Sequence, residues 1–338
     1  MKRLLSLGAV VLLAALMVAC GGSSNDKTPT PAATSSASTS GSSGASGSTA
    51  AASPTAKIDL SKDDLGRSVT VPKNPQRVVA LSPTIVELMY AVGATPAGRP
   101  NSATYPAAAS SVPDFGTSYQ PSFEEIAAMK PDLLIADAII DQSLISDLQS
   151  LNVPIYAVKV DSFDSVTSGL RKVGALTGHA DQGEAQAKQL EDKLAAVKAK
   201  IPATGGPSVL VVVAAGPGQF IAAKDTSYVG SLIKLLGGKN VVGSDPDNFR
   251  FPGFADYSVE KIVQSDPDVV IGISVGGPPG TPKTTELLAQ TPGWSSLKAV
   301  KNGNVHEVDS VVYLESAGPR VSQILDELPR ILYPNVFK

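Results

Sequence analysis

The chain has 338 residues, one cysteine and a formal charge of −3, set by 28 Lys and Arg against 31 Asp and Glu. That length suits one large or two modest domains. The near-neutral balance supplies no basic stripe for nucleic acid, and a single cysteine excludes a disulfide framework.

Lys2 and Arg3 precede an apolar run over residues 4–18, which is too short to span a bilayer comfortably and has the length of a secretory signal core. Residues 1–19 are therefore read as a signal peptide. The run ends in Met17-Val18-Ala19-Cys20, where the small residue before the cysteine resembles a bacterial lipobox, with Met17 where Leu is more usual. Cleavage there leaves Cys20 first, thioether-linked to diacylglycerol. Residues 20–56 carry this cysteine and then mostly Ser, Gly, Thr, Ala and Pro. Such a stretch has too little apolar surface to offset the entropy of ordering and is read as a disordered tether.

The folded body opens on Asp64-Leu65-Gly66-Arg67, a turn, and Pro72 and Pro75 punctuate the approach to a buried strand at residues 77–81. A helix follows at once. Thr84-Ile85-Val86-Glu87 has the spacing of a capping box, Ile85, Leu88, Met89 and Val92 fall at i, i+3, i+4 and i+7, and Gly93 suits the left-handed C-terminal position.

Residues 122–136 predict a short helix that Pro131 stops before a buried strand, and the same unit recurs at residues 258–272, an offset of 136 (258 minus 122). Ser, Glu, Ile, Pro, Asp and Ile return at equivalent places, which points to a duplicated architecture. A strand at residues 209–213 leads to Val229, Leu232, Ile233, Leu236 and Gly237, the first helix's spacing again at an offset of 144. Residues 153–158 and 305–308 predict two more strands, offset by 152. Slowly drifting offsets imply two homologous lobes, residues 57–179 and 202–338, each a βα succession that favours a parallel sheet flanked by helices. Between them, Gly183, Ala187, Leu190, Leu194, Val197 and Ile201 form one apolar stripe, and residues 180–201 predict a rigid helix reaching from lobe to lobe.

These features resemble the substrate-binding lipoproteins of ABC importers for iron-siderophore complexes, cobalamin and haem. The resemblance spans about residues 58–334. It is carried by residues 74–83 (Asn-Pro-Gln-Arg-Val-Val-Ala-Leu-Ser-Pro), Glu87, Pro131-Asp132-Leu133-Leu134-Ile135, Gly174-Ala175-Leu176-Thr177-Gly178, Gly237-Gly238-Lys239-Asn240 and Gly318-Pro319-Arg320. It implies two Rossmann-like α/β lobes with parallel sheets joined by one long helix, the class III periplasmic-binding-protein type, with a shallow cleft that closes little. It also implies that Glu124 and Glu260, equivalent in the two copies, dock onto an ABC permease dimer.

Ligands of open α/β sheets sit beyond the carboxyl ends of strands, and pockets favour lobe interfaces. The loops at 82–84, 137–141, 214–220 and 274–282 qualify, with Ser82, Pro83, Tyr105, Asp137, Phe220, Arg250, Phe251 and Tyr313 as candidate contacts. Aromatic faces and one guanidinium suit a large, flat or anionic chelate. Cobalamin and a ferric siderophore are the expected ligands; haem, or a structural lipoprotein with no transport role, is the alternative. His179 and His306 are too far apart in the sequence pattern to make a metal site, and no cofactor is expected. Gly216-Pro217-Gly218 lacks the third glycine of a dinucleotide loop, and Ser82 has no His-Asp partners for a triad, so no enzyme is expected. The chain is read as an extracytoplasmic, lipid-anchored monomer, on the outer face of a single membrane or within a periplasm.

Overall fold

The computed structural model describes residues 58–338 apart from 140, 204, 217, 277–279 and 316. The stretches expected to be a signal peptide and a tether, and the Cys20 between them, lie outside the described residues. The first lobe runs β1 (Val78–Ala80), α1 (Pro83–Ala91), α2 (Phe123–Ala128), β2 (Leu133–Asp137), α3 (Ile145–Leu148), β3 (Ile155–Val158) and α4 (Phe163–Leu176). After α5 (Ala180–Lys198) the second runs β4 (Ser208–Gly216), β5 (Gln219–Ala223), α6 (Tyr228–Leu235), β6 (Lys239–Asn240) and β7 (Phe254–Asp256). It continues through α7 (Val259–Ser265), β8 (Val269–Ser274), α8 (Thr284–Ala289), α9 (Lys298–Lys301), β9 (Val305–Asp309) and α10 (Val321–Leu332).

The first sheet has the order β1-β2-β3, all parallel, and every residue of its strands is buried, as sheets covered on both faces require. The second is mixed. β4, β8 and β9 repeat that parallel triplet and β6 pairs in parallel with β4, while β5 pairs antiparallel with β4 and β7 antiparallel with β5, adding an antiparallel flank to the parallel sheet.

Strand pairing shows what the repeat does. Val78 faces Leu133 as Val209 faces Val269, so the first strands are offset by 131 (209 minus 78) while the helices after them are offset by 144. β5 is the insertion that makes the difference. Ile155 faces Leu134 as Val305 faces Val270, so the third strands are offset by 150 (305 minus 155) and not by the 152 of the sequence match. The recurring Pro-Asp does the same work in both lobes. Asp132 accepts from the backbone N–H of Gln76 and Arg77, and Asp268 from that of Ser208, each pinning the first strand of its lobe to the second. Just before each proline the chain turns through a left-handed residue, Lys130 at φ 49° and Asp266 at φ 36°, a conformation uncommon outside glycine.

Helix α1 begins earlier than its capping-box spacing suggests. Ser82 is the N-cap, its Oγ accepting from the Ile85 N–H at 3.2 Å, and Pro83 takes the first turn, where its missing N–H costs nothing. Glu87 is thereby released from a capping role. α5 packs along α4 at one end, where Arg171 holds Glu184 and Glu191, and reaches α10 at the other, where Lys193 donates to Asp326 and Ser322. The helix ends at Lys198, short of the expected Ile201.

Candidate functional site

The carboxyl ends of both parallel triplets feed a cleft of about 570 Å³. The first lobe contributes Pro83 and Glu87 from α1, Ser102, Ala103, Thr104 and Tyr105 from the loop after Arg99, and Ser118 and Tyr119 ahead of α2. The second contributes Phe251 from the loop ahead of β7, Val275 and Gly276 beyond β8, Val311 and Leu314 beyond β9, and Arg320 at the start of α10.

The loop carrying Tyr105 is organised by one buried side chain. Arg99 spends its guanidinium on the carbonyls of Ala109, Val112, Pro100, Asn101 and Ser110, at 2.7 to 3.4 Å, so one side chain satisfies much of the backbone of a segment whose regular structure is the short 3-10 turn Ala107–Ser111. Tyr105 then lies against the opposite lobe, with the Arg320 guanidinium 4.6 Å from its ring centroid, a cation–π contact. Arg320 also donates from Nε and Nη2 to the Glu87 carboxylate at 2.8 and 2.5 Å. This bidentate pair crosses from lobe to lobe with its side chains only 10% and 3% exposed. The cleft is therefore walled by aromatic and aliphatic surface, and among the described residues the single cation lining it is matched by the single carboxylate.

Two further concavities adjoin it. One, of about 170 Å³, lies between the lobes and is lined by Asp137, Ile139, Asp161, Tyr228, Phe254, Tyr313 and Leu314 among others. Burial pushes the Tyr228 phenol up, well above its usual range, and its Oη is buried without a hydrogen-bond partner among the described residues. The other, of about 500 Å³, runs beside β5 and holds Phe220, Phe249, Arg250, Phe251 and Asp256.

Of the eight residues expected from sequence, Pro83, Tyr105 and Phe251 line the cleft together. Asp137 and Tyr313 belong to the small interlobe cavity, and Tyr313 is a core residue, fully buried with its hydroxyl donating to Glu327 at 3.0 Å. Phe220 is buried under the side concavity, and Arg250 lies there too, 5.1 Å from the Phe249 ring centroid. Ser82 is fully buried because its hydroxyl caps α1. Sequence reasoning missed Tyr119, which is 74% exposed at the cleft mouth. The available signal was an aromatic in the turn just ahead of α2.

Among the described residues no three His, Cys, Asp or Glu side chains cluster in a way that could hold a metal ion. His179 sits at the N-cap of α5 and His306 in β9, where burial lowers its pKa, and neither lines the cleft. No helix among the described residues is long and apolar enough to cross a membrane.

Two α/β lobes, one connecting helix and a ligand-sized cleft between them define a solute-binding protein of the ABC-importer type, not an enzyme. The chain belongs to the periplasmic binding protein family, whose pattern matches residues 78–312. It is 27% identical over 262 residues to the high-affinity heme uptake system protein IsdE of Staphylococcus aureus (strain Newman), covering 75% of this chain and 85% of that protein. The apo structure of RhuT, the periplasmic heme-binding protein of Roseiflexus sp. RS-1, matches with a TM-score of 0.64 and 26% identity, over 77% of this chain and 99% of that one. The petrobactin-binding protein YclQ of Bacillus subtilis matches with a TM-score of 0.70 over 80% of this chain and 96% of that one, and at 22% identity bears on the fold alone.

Proposed function

We propose that the chain captures a metal chelate with broad apolar faces, a metallotetrapyrrole, and delivers it to an ABC permease. The observation that carries this reading is where the exposed apolar side chains stand. Of eight large ones among the described residues, Tyr105, Tyr119, Phe251, Val275 and Val311 line the cleft, and Ile139 and Phe249 flank it in the adjoining concavities. Soluble proteins concentrate such surface at binding grooves. With Arg320 matched by Glu87, the lining suits a large flat ligand of low net charge such as haem or cobalamin.

The haem functions named for IsdE and RhuT support haem first. Met89 and Met129 are buried in the core and no histidine among the described residues lines the cleft, so iron would take a tyrosine oxygen, from Tyr105 or Tyr119. Cobalamin is the second reading, favoured by the same apolar lining. A ferric siderophore draws its support from Arg250, which belongs to the side concavity.

In this reading Cys20 anchors the receptor to the membrane, which it serves as a monomer on the extracytoplasmic side, and Glu124 and Glu260 meet the two permease subunits. Both glutamates lie in the first turns of α2 and α7, and both are exposed. Each helix leads directly into a strand parallel to its neighbour, so each N-terminus lies toward the cleft end of its lobe. Equivalent carboxylates on two similar lobes suit a partner of two similar subunits.

Spectroscopic titration of the purified protein with hemin, cyanocobalamin and a ferric hydroxamate tests the ligand. The expected result is saturable 1:1 hemin binding with a shifted Soret band, altered when Tyr105→Phe and Tyr119→Phe are combined. Absence of saturable binding by either tetrapyrrole overturns the reading.

A further inference from the structure

We propose that Glu87 sets the charge class of the ligand, by neutralising across the lobes the guanidinium of Arg320 in the cleft wall. This deepens the reading of the cleft as a metal-chelate site and rests on it. Arg320 enters the cleft from the start of α10, where its positive charge faces a space enclosed by Tyr105, Val311 and Leu314. In such low-dielectric surroundings an unmatched cation attracts a polyanion strongly. Glu87 removes that attraction, because its carboxylate takes Nε and Nη2 at 2.8 and 2.5 Å while itself only 3% exposed. Among the described residues no other Lys, Arg or His lines the cleft. A chelate carrying several negative charges therefore meets a lining with no net positive charge, and loses its hydration without a counter-charge in return. A chelate of low net charge with apolar faces carries no such penalty.

The pair also has a plain structural use, tying α1 of one lobe to α10 of the other, so the test reads ligand charge preference, which a tie alone does not move. The parent, Glu87→Gln, and Glu87→Gln combined with Arg320→Met are titrated with two probes, a trianionic ferric tris-catecholate and neutral cyanocobalamin. In Glu87→Gln the ratio of affinities, tris-catecholate over cyanocobalamin, is expected to rise about tenfold above the parent's and to fall back once Arg320 is replaced. An unchanged ratio in a Glu87→Gln protein that still melts cooperatively overturns the proposal. If that variant does not fold, the parent decides: tris-catecholate bound as tightly as hemin overturns the proposal, and a clear preference for hemin supports it. Loss of all tetrapyrrole binding by the parent would instead sink the ligand assignment. In that case the change in tris-catecholate affinity between parent and Glu87→Gln still reads the role of Glu87.

Discussion

Gly174 of α4 and Gly183 of α5 meet backbone to backbone. A Cβ on Gly183 would come 2.6 Å from the Leu170 carbonyl oxygen, and one on Gly174 would come 2.7 Å from that of His179. The two helices dock closer than any side chain permits, and Arg171 fastens the contact through Glu184 and Glu191. Since α5 also bonds α10 through Lys193, the strut is held at both ends.

Replacing Gly183 by Ala should therefore cost about 1 to 3 kcal/mol, because backbone atoms have to move apart. Intrinsic helix propensity works the other way by roughly 1 kcal/mol, so a net loss isolates the packing. Urea denaturation measures it, and an unchanged midpoint would mean that the contact yields freely.

A strut fastened at both ends should keep the lobes in place when ligand enters. The small-angle scattering profile is expected to change little between ligand-free and ligand-bound protein. Contraction as large as that of a receptor hinged on extended strands would count against it.

Phe251 and Tyr313 are both aromatic and both lie between elements of the second lobe, yet they should behave differently. Phe251→Ala is expected to weaken tetrapyrrole binding by about 1 to 3 kcal/mol and leave the melting temperature nearly unchanged, because the ring lines the cleft and is largely exposed. Tyr313→Ala should cost about 3 to 5 kcal/mol of stability, because that ring is wholly buried. Calorimetric titration beside thermal melts separates the two.

Burial pushes the Asp141 carboxyl up to about 7, with the neighbouring Asp137 charge adding to the effect against one backbone hydrogen bond from Asp137. A carboxyl raised in the folded state prefers its proton there. Its stabilising contribution is full below the ordinary value of 3.8 and is lost progressively as pH rises through about 7. Asp141→Asn keeps an oxygen for the Asp137 N–H and should flatten this dependence, making the variant more stable than the parent at pH 8. Urea midpoints at pH 5 and pH 8 measure the difference, and parallel curves for the two proteins would contradict it.

A hydrogen bond with the Ser258 side chain, and a second from its own backbone N–H, hold the Glu260 carboxyl below its usual range, so it is ionised wherever a permease would meet it. Opposed charges at a docking surface mainly set register and association rate. Glu124→Ala combined with Glu260→Ala should abolish uptake in cells while ligand affinity and melting temperature stay close to the parent's. Normal transport by the double variant would exclude the docking role.

The duplicated helix-Pro-Asp-strand unit, the buried parallel strands and the left-handed Gly93 were all legible in the chain, because each depends on neighbours a few residues away. Propensity, turn chemistry and the pairing of backbone groups act at that range. The cleft lining did not follow by the same logic. Arg250 and Phe251 are adjacent, yet only Phe251 reaches the cleft; Phe220 and Tyr313 read as loop aromatics but are core, since Phe220 belongs to β5 and Tyr313 to a helical turn, its hydroxyl reaching Glu327 in the middle of α10. Glu87 looked like the end of a capping box until Ser82 took the cap and Arg320 took the carboxylate, 233 residues further along the chain. A contact of that separation is decided by how two sheets and one connecting helix set the lobes against each other. No local pattern encodes it, because the charge that Glu87 matches is brought to it only once the chain has folded.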